Sequence, residues 1–330
     1  MNIIETLKAK AAALGGRIVL PESHDERMLR AADAVISDAL AEVILVGDPQ
    51  TVRDKAGSMS LDLSRATILD PAKHPDIEKF ANYFYEKRKE KGVTPEQARQ
   101  TVLNELFFGA MLIKFGLADG MVAGAVNTTA DVLRSALQVV GVAPGLKTVS
   151  SSFIMLVYDY MGEDRIYLFA DCAVVPNPDP EQLADIAIST AHTRKSILGD
   201  EPRVALLSFS TMGSAKHELV EKVQQTKAIL DQRKVNFAYD GEMQLDAAIV
   251  PHIAKSKAPG STVAGQANTL IFPDLQSGNI GYKLTQRFAK AEAIGPIIQG
   301  LAAPICDLSR GCSMEDIVNT CVLVLLMGKK

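Results

Sequence analysis

The chain has 330 residues, 47% hydrophobic and 22% charged, so it can bury a large core and has a length typical of about two domains. Its net charge of −4, without a long basic run, argues against nucleic acid or an anionic membrane as partner. The start MNIIETLKAK lacks the pattern of a signal peptide, and the apolar run CVLVLLM is too short to span a bilayer.

The cysteines and histidines indicate neither a disulfide framework nor a metal site. The four cysteines contain no CxxC pair, which is typical of reduced thiols in a cytoplasmic protein. The five histidines are scattered singly, without metal-ligand spacing. We therefore predict a cytoplasmic protein without a metal.

Along the first part of the chain, short apolar runs alternate with helical patterns. Thr94, Pro95 and Gln97 form the pattern of a capping box at the start of a helix. Near-continuous apolar strands in alternation with helices predict a parallel sheet covered on both faces. Strands are predicted at 17–20, 43–47, 66–70 and 121–126, and helices from the first strand to about Leu40 and at 75–91, 95–115 and 130–140.

After a glycine-, proline- and serine-rich stretch at 141–152 the alternation starts again. This stretch and Gly295-Pro296 are the candidate boundaries, because the C-terminal piece is too small to fold alone. We predict an α/β domain of residues 1–148 with 296–330, and a second α/β domain of residues 149–295. The second part has predicted strands at 153–159, 166–174, 204–211, 236–240 and 269–274, and helices at 179–198, 213–233 and near 243–255.

The loops at the predicted strand ends are candidates for binding an anion, because ligands of doubly wound sheets lie beyond the carboxyl ends of the strands. After the strand at 121–126, Asn127 and Thr128 precede a helix that carries Arg134, a combination that can hold a phosphate. The alternative is that Thr128 or Thr129 is only an N-cap.

Three further strand ends have the same character. The loop at 208–218 resembles a phosphate cradle but lacks P-loop spacing. Arg287 and two other polar residues lie on one face of the helix predicted after residue 272. Arg27 lies at the start of the helix that follows PESHDE. Together the loops predict an anion-handling cleft.

The segment DLSRGCSMEDIV, residues 307–318, lies between two apolar runs. Ser313 and Asp316 have the S-x-x-D spacing of a helix start, which explains these two residues structurally. Arg310 is not explained in this way, since a cation beside buried segments needs an anion. A functional interpretation has Arg310 hold an oxyanion, Ser309 donate a hydrogen bond and Asp316 accept a proton. Cys312 could be a thiolate nucleophile.

Several stretches resemble the phosphate acetyltransferase family, and the resemblance runs from about residue 17 to the C-terminus. They are PESHDERML, DGMVAGAVNTTADVLRSALQVV, LSFSTMGSAKHE, DLSRGCSMEDIV and the long block SKAPGSTVAGQANTLIFPDLQSGNIGYKLTQRFAKAEAIGPIIQGL. The resemblance implies reversible acetyl transfer between coenzyme A and phosphate, with CoA as a substrate and no cofactor. It also implies a homodimer of two-domain chains, related to isocitrate and isopropylmalate dehydrogenases, with the active site in the interdomain cleft.

The same resemblance assigns roles to residues of this chain. It implies that Asp316 is the base for the CoA thiol, that Ser309 is a hydrogen-bonding partner and that Arg310 anchors the acetyl phosphate. The arginines that it implies for CoA and phosphate binding are Arg27, Arg88, Arg134 and Arg287. Because the transfer in the family is direct, Cys312 need not be a nucleophile.

Three alternatives remain open at this point. A phosphate butyryltransferase, or another short-chain acyltransferase, shares the chemistry and differs in the volume of the acyl pocket. A metal- and NAD(P)-dependent decarboxylating dehydrogenase could use Asp240, Glu242 and Asp246 as Mg²⁺ ligands. The third is a non-catalytic sensor of CoA or acetyl phosphate.

Overall fold

The structure, a computed structural model, describes residues 3–328. The chain divides into two compact units, Met1–Gly141 with Leu301–Lys330, and Val142–Gly300. These divisions lie near the predicted boundaries at 148/149 and 295/296. None of the helices described is both long enough and apolar enough to cross a membrane.

The first unit is built around one parallel sheet in the order β11-β4-β1-β2-β3. Alternate residues of its strands point to opposite faces. Val19 packs among the helices that follow β3, while Ile18 and Leu20 are buried on the other face. The elements of this unit are α1 (Ile3–Leu14), β1 (Arg17–Leu20), α2 (Glu26–Ser37), β2 (Glu42–Val46), α3 (Pro49–Ser58), β3 (Thr67–Leu69), α4 (Ile77–Arg88), α5 (Pro95–Val102), α6 (Glu105–Lys114), β4 (Gly120–Ala123), α7 (Thr129–Val139), β11 (Ile305–Asp307) and α13 (Met314–Gly328), with short 3₁₀ turns at Pro71–Lys73 and Lys89–Lys91.

The second unit contains a mixed sheet in the order β10-β5-β6-β9-β7-β8. The strands from β6 through β9 and β7 to β8 are parallel, whereas β5 pairs antiparallel with both β6 and β10. Its faces are buried in two clusters, one with Ala205 and Leu207 and the other with Val204 and Leu206. The elements are β5 (Ser150–Tyr160), β6 (Glu163–Ala170), α8 (Pro180–Leu198), β7 (Arg203–Leu207), α9 (Glu218–Arg233), β8 (Ala238–Met243), α10 (Leu245–Ile249), α11 (Pro251–Lys257), β9 (Thr269–Ile271), α12 (Leu275–Phe288) and β10 (Glu292–Gln299).

The predicted α/β fold, with two mostly parallel sheets in α/β/α arrangement, is confirmed, and several helix boundaries differ for local reasons. The predicted helix 95–115 is two helices, because Asn104 accepts hydrogen bonds from the N–H groups of Leu106 and Phe107 and starts a second helix. Pro251, which has no N–H group, divides the predicted helix near 243–255. The capping box at Thr94 is present as predicted.

Three of the predicted strands that end early stop at Ala123, Ala170 and Leu207. In each case the residues that follow surround a buried carboxylate instead of continuing the sheet. The three carboxylates belong to Glu22, Asp171 and Glu242. Two of these strand ends, at Ala123 and Leu207, precede loops for which the sequence predicted anion binding.

Candidate active site

Three neighbouring parallel strands of the first unit, β1, β4 and β11, end at the same edge of their sheet. The loops that leave them are residues 21–25, 124–128 and 308–313. Parallel strands in register bring such loops together. The first loop leads into the helix start that carries Arg27, the second contains Asn127, and the third is part of the segment DLSRGCSMEDIV. The candidate site is built from these loops.

Glu22 is buried at this edge of the sheet and holds the loop that follows β4. Its side chain is fully buried, and its carboxylate accepts hydrogen bonds from the four consecutive backbone N–H groups of Gly124–Asn127 at 2.7–3.1 Å. The side-chain amide of Asn127 donates a fifth at 2.9 Å. Successive backbone N–H groups form an anion-binding concavity, and here the protein's own carboxylate fills it.

Asn127 and Thr128, both predicted to bind substrate, are engaged in internal hydrogen bonds. The amide of Asn127 also donates to Glu105 at 2.9 Å. Thr128 is the N-cap of α7, since its Oγ1 accepts from the N–H of Asp131, so the capping role predicted for this threonine is observed. Substrate binding by these two residues remains a prediction.

Arg27 is held from three directions. Its guanidinium donates to both carboxylate oxygens of Asp25, to the carbonyl oxygen of Ala125, and to the carbonyl oxygens of Arg310 and Cys312. Hydrogen bonds from Arg27 hold the pKa of Asp25 below its ordinary value. Arg27 thus connects the start of α2 with the loops that follow β4 and β11.

The segment 309–316 combines a capped helix start with exposed polar groups. Ser313 Oγ accepts from the N–H of Asp316, and Asp316 Oδ2 accepts from the N–H and the hydroxyl of Ser313, so the predicted S-x-x-D cap is present. Ser309 Oγ accepts from the N–H of Gly311 at 3.2 Å. Arg310 is exposed, and its guanidinium has no partner among residues 3–328. A free cation and an exposed carboxylate therefore lie on one short segment.

Cys312 lies between these groups, but its environment does not favour a nucleophile. Its side chain is buried, and burial raises the pKa of the thiol, although nearby Arg27 opposes the shift. A reactive cysteine needs the opposite environment, partly exposed and with a lowered pKa. The structure therefore agrees with the expectation that Cys312 need not react.

Asp307, the last residue of β11, was missed by the sequence analysis. Its Oδ2 accepts from the hydroxyl of Thr129 at 2.6 Å, while its Oδ1 is buried without a partner in the described part of the chain. A side chain at position 124 would collide with Oδ1, so Gly124 is required there. Burial, with the charge of Glu22 adding to it, raises the pKa of Asp307 to about 6. Nothing in the local pattern signals this, because its partners lie far away in sequence.

The raised pKa of Asp307 predicts a pH-dependent stability. The unfolded carboxyl titrates near 3.8 and the folded one near 6, so the unfolded state loses its proton first as the pH rises. The free energy of unfolding of the wild type should therefore fall by up to about 3 kcal/mol, relative to an Asp307→Asn variant, between pH 4 and pH 7. Urea unfolding of both proteins at five pH values measures the difference. Parallel curves would show that Asp307 is not a titrating buried acid.

The other predicted arginines occupy different settings. Arg134 on α7 is exposed and pairs with Asp131 at 2.7 Å. Arg88, at the end of α4, has a buried Nε atom without a partner among the described residues. Arg287 is exposed near the end of α12 in the second unit. Their roles in binding remain predictions.

The loop at 208–218 in the second unit does not present an open phosphate cradle. The carboxylate of Glu242 accepts from the hydroxyl of Ser210, the N–H of Gly213 and the side-chain amide of Gln224. Asp246, another Mg²⁺ ligand of the dehydrogenase alternative, pairs with Lys257 at 2.7 Å. Across residues 3–328 no group of three or more His, Cys, Asp or Glu side chains could hold a metal ion.

Comparisons with known proteins agree over nearly the whole chain. A family model described as phosphate acetyl/butaryl transferase matches residues 2–325. A phosphate acetyltransferase of Thermoanaerobacterium thermosaccharolyticum is 54% identical over 97% of both chains, and one of Clostridium acetobutylicum is 52% identical over 100% of this chain and 99% of its own. Among solved structures, a phosphotransacetylase from Streptococcus pyogenes has a TM-score of 0.93 at 43% identity, over 99% of this chain and 98% of that one.

The α/β fold, the polar strand-end loops and these matches define an enzyme of the acyltransferase class. The chain belongs to the phosphate acetyl/butaryl transferase family. The resemblance seen in the sequence is thereby confirmed, whereas the relation to isocitrate and isopropylmalate dehydrogenases stays a prediction.

Proposed function

We propose that the protein catalyses the reversible transfer of an acetyl group between coenzyme A and inorganic phosphate. The observation that carries this proposal is the segment 309–316, where the free guanidinium of Arg310 and the exposed carboxylate of Asp316 flank a helix start. The full-length relatives named phosphate acetyltransferase support the same activity. CoA is a substrate in this reaction, and we propose no cofactor.

In the proposed reaction the CoA sulfur attacks the carbonyl carbon of acetyl phosphate. A C–S bond forms, the C–O bond to phosphate breaks with its electron pair leaving on phosphate, and the thiol proton passes to Asp316. Charge develops on the carbonyl oxygen, where Arg310 and the hydroxyl of Ser309 stabilise it as an oxyanion. Arg88, Arg134 and Arg287 supply positive charge for the phosphates of CoA and for the substrate.

The acidities of the groups impose a condition on this mechanism. A thiol ionises near 8.5 and an aspartic acid near 3.9 in reference peptides, so a carboxylate is a weak base for a thiol. Asp316 is exposed, so the mechanism relies on a positive field that stabilises the CoA thiolate. Arg310 and the N-terminus of α13 provide that field, and Asp316 then accepts the proton only transiently.

One assay tests the proposed function directly. The purified protein is mixed with acetyl phosphate and CoA, without NAD(P) and without divalent metal, and the absorbance of the thioester is followed. Thioester formation that depends on both substrates supports the proposal. Parallel reactions with butyryl phosphate measure the preference for acyl length. Reduction of NAD(P) by a hydroxy acid, with no thioester formed, would contradict the proposal.

We also propose that two copies of the chain associate through α12, and that the protein is cytoplasmic. Ile280, Leu284 and Phe288 recur every four residues on this helix and are 56%, 50% and 84% exposed. An apolar stripe of this kind is typical of a surface that another protein covers. None of the four cysteines forms a disulfide in the described part of the chain, which fits a reducing compartment.

Replacing Phe288 by Asp should therefore weaken the dimer. A charge within the contact loses the apolar burial and must itself be desolvated, so the dissociation constant should rise at least about a hundredfold. Light scattering would show wild type at twice the chain mass of 35.5 kDa and the variant at the chain mass itself. Leu219→Asp, at a half-exposed position on α9, is the control and should remain dimeric. A Phe288→Asp protein that keeps the wild-type mass would rule out α12 as the interface.

A further inference from the structure

All five N–H groups of the Arg27 guanidinium are donated inside the first unit. A guanidinium carries one N–H on Nε and two on each terminal nitrogen. Nε and Nη2 donate to Asp25 at 3.0 and 2.9 Å, and Nη2 also donates to the carbonyl of Ala125 at 2.8 Å. Nη1 donates to the carbonyls of Arg310 and Cys312 at 2.8 and 3.0 Å. A bound phosphate would have to displace one of these bonds.

The two bonds from Nη1 hold the backbone between Ser309 and Ser313. This stretch lies between β11 and α13 and belongs to neither, so the carbonyl groups of Arg310 and Cys312 have no partner in the described sheet or helix. Arg27 donates hydrogen bonds to the carbonyl oxygens of Arg310 and Cys312, on both sides of Gly311, which lie 283 and 285 residues away in sequence. The direction of the Arg310 side chain therefore depends on a distant arginine.

Arg27 is itself fixed from the opposite side. Asp25 is the N-cap of α2 and accepts from the backbone N–H of Arg27 at 2.8 Å, while its carboxylate pairs with the guanidinium at 2.9 Å. A two-point pair with a carboxylate restricts both the position and the plane of a guanidinium. The arginine can thus transmit the position of α2 to the segment 309–313.

We infer that Arg27 is a positioning residue that holds the segment 309–313 in place, and that it does not contact the substrate. The inference rests on the proposed function, because it assigns Arg310 and Ser309 as the groups that need to be positioned. It replaces the role implied by the family resemblance, which had Arg27 binding CoA or phosphate.

The test compares Arg27→Gln and Arg27→Lys with a matched control, Arg30→Gln. Arg30 lies on the same helix and is exposed. A loosened segment misplaces Arg310, so kcat should fall about 10- to 100-fold while the KM values for CoA and acetyl phosphate change less than about threefold. The control should keep wild-type values of all three constants.

Labelling of Cys312 by a thiol reagent, without substrates, gives a second readout. Cys312 is buried in the segment that Arg27 holds, and peptide mass spectrometry distinguishes it from the other cysteines. Burial raises the pKa of this thiol and the charge of Arg27 opposes the shift, so loss of that charge alone would slow labelling. Labelling at least about tenfold faster in Arg27→Gln would therefore report that the segment has opened.

Other outcomes decide against the inference. A rise of about tenfold or more in KM for CoA or acetyl phosphate, with kcat unchanged and Cys312 still protected, would make Arg27 a substrate contact. Unchanged kinetics with Cys312 protected would leave Arg27 without either role. If the Gln variant does not fold, the kinetics and Cys312 labelling of Arg27→Lys provide the test. Lysine keeps the charge but lacks the planar set of guanidinium donors. A wild type without acyl transfer would contradict the proposed function, and the labelling would still show whether Arg27 fixes the segment.

Discussion

Replacing Glu22 by Gln is expected to lower the free energy of unfolding by about 3 kcal/mol or more and to loosen the loop after β4. The carboxylate accepts from four consecutive backbone N–H groups and from Asn127, using both oxygens. Glutamine has the same shape but a single acceptor oxygen, and its NH₂ group would face N–H donors. Buried donors without an acceptor are costly, which is why an isosteric change has a large effect here.

The effect of this change should be local as well as global. Urea unfolding gives the change in stability, and hydrogen exchange followed by mass spectrometry gives the opening of peptide 120–128. The amides of Gly124–Asn127 should exchange about 10²-fold faster in the variant, in proportion to the lost stabilisation. Glu26→Gln, at an exposed position of α2, is the control and should stay within about 0.5 kcal/mol of wild type. A Glu22→Gln protein with wild-type stability and exchange would show that the carboxylate does not hold the loop.

Features that depend on neighbours in sequence could be predicted from the sequence. The capping box at Thr94 and the S-x-x-D cap at Ser313 arise from contacts within three residues, and the strand Arg17–Leu20 is signalled by its own apolar run. The division of the predicted helix 95–115 could also have been found, since Asn104 is a strong N-cap residue followed by an acidic Glu105. Local signals of this kind determine where elements begin and end.

The carboxylates that organise the strand ends could not be predicted in the same way. Glu22 and the loop that it binds are separated by 102 to 105 residues, and Asp307 and Thr129 by 178. An apolar run such as MVAGAV gives no sign that the strand stops at Ala123 to surround a carboxylate. The antiparallel pairing of β5 with β6 was equally hidden, because both strands have the continuous apolar pattern of a parallel sheet.

The occupied N–H groups also change how the predicted site residues are interpreted. A loop of glycine, asparagine and threonine at a helix start suggests phosphate binding, but the N–H groups of Gly124–Asn127 already hold Glu22. The charge available for an anion therefore comes from side chains that remain exposed, above all Arg310. Catalysis by such a site depends on where that side chain is held, which makes the backbone around it as important as its charge.

Replacing Asp316 by Asn is expected to lower kcat about 10²- to 10⁴-fold while leaving the Kd of CoA nearly unchanged. The amide cannot accept the thiol proton, but its oxygen can still accept from the N–H of Ser313, so the start of α13 should remain capped. Stopped-flow or steady-state kinetics with acetyl phosphate and CoA measure kcat, and calorimetry measures the binding of CoA.

A matched variant separates proton transfer from the helix cap. Ser313→Ala removes the hydroxyl that caps the N–H of Asp316 but keeps the carboxylate, so it should cost about 1 kcal/mol of stability with only a small loss of kcat. If Ser313→Ala lowers kcat as much as Asp316→Asn does, Asp316 acts through the helix start and not as a proton acceptor. If Asp316→Asn turns over within about twofold of wild type, the thiol proton leaves by another route and the positive field of Arg310 alone generates the thiolate.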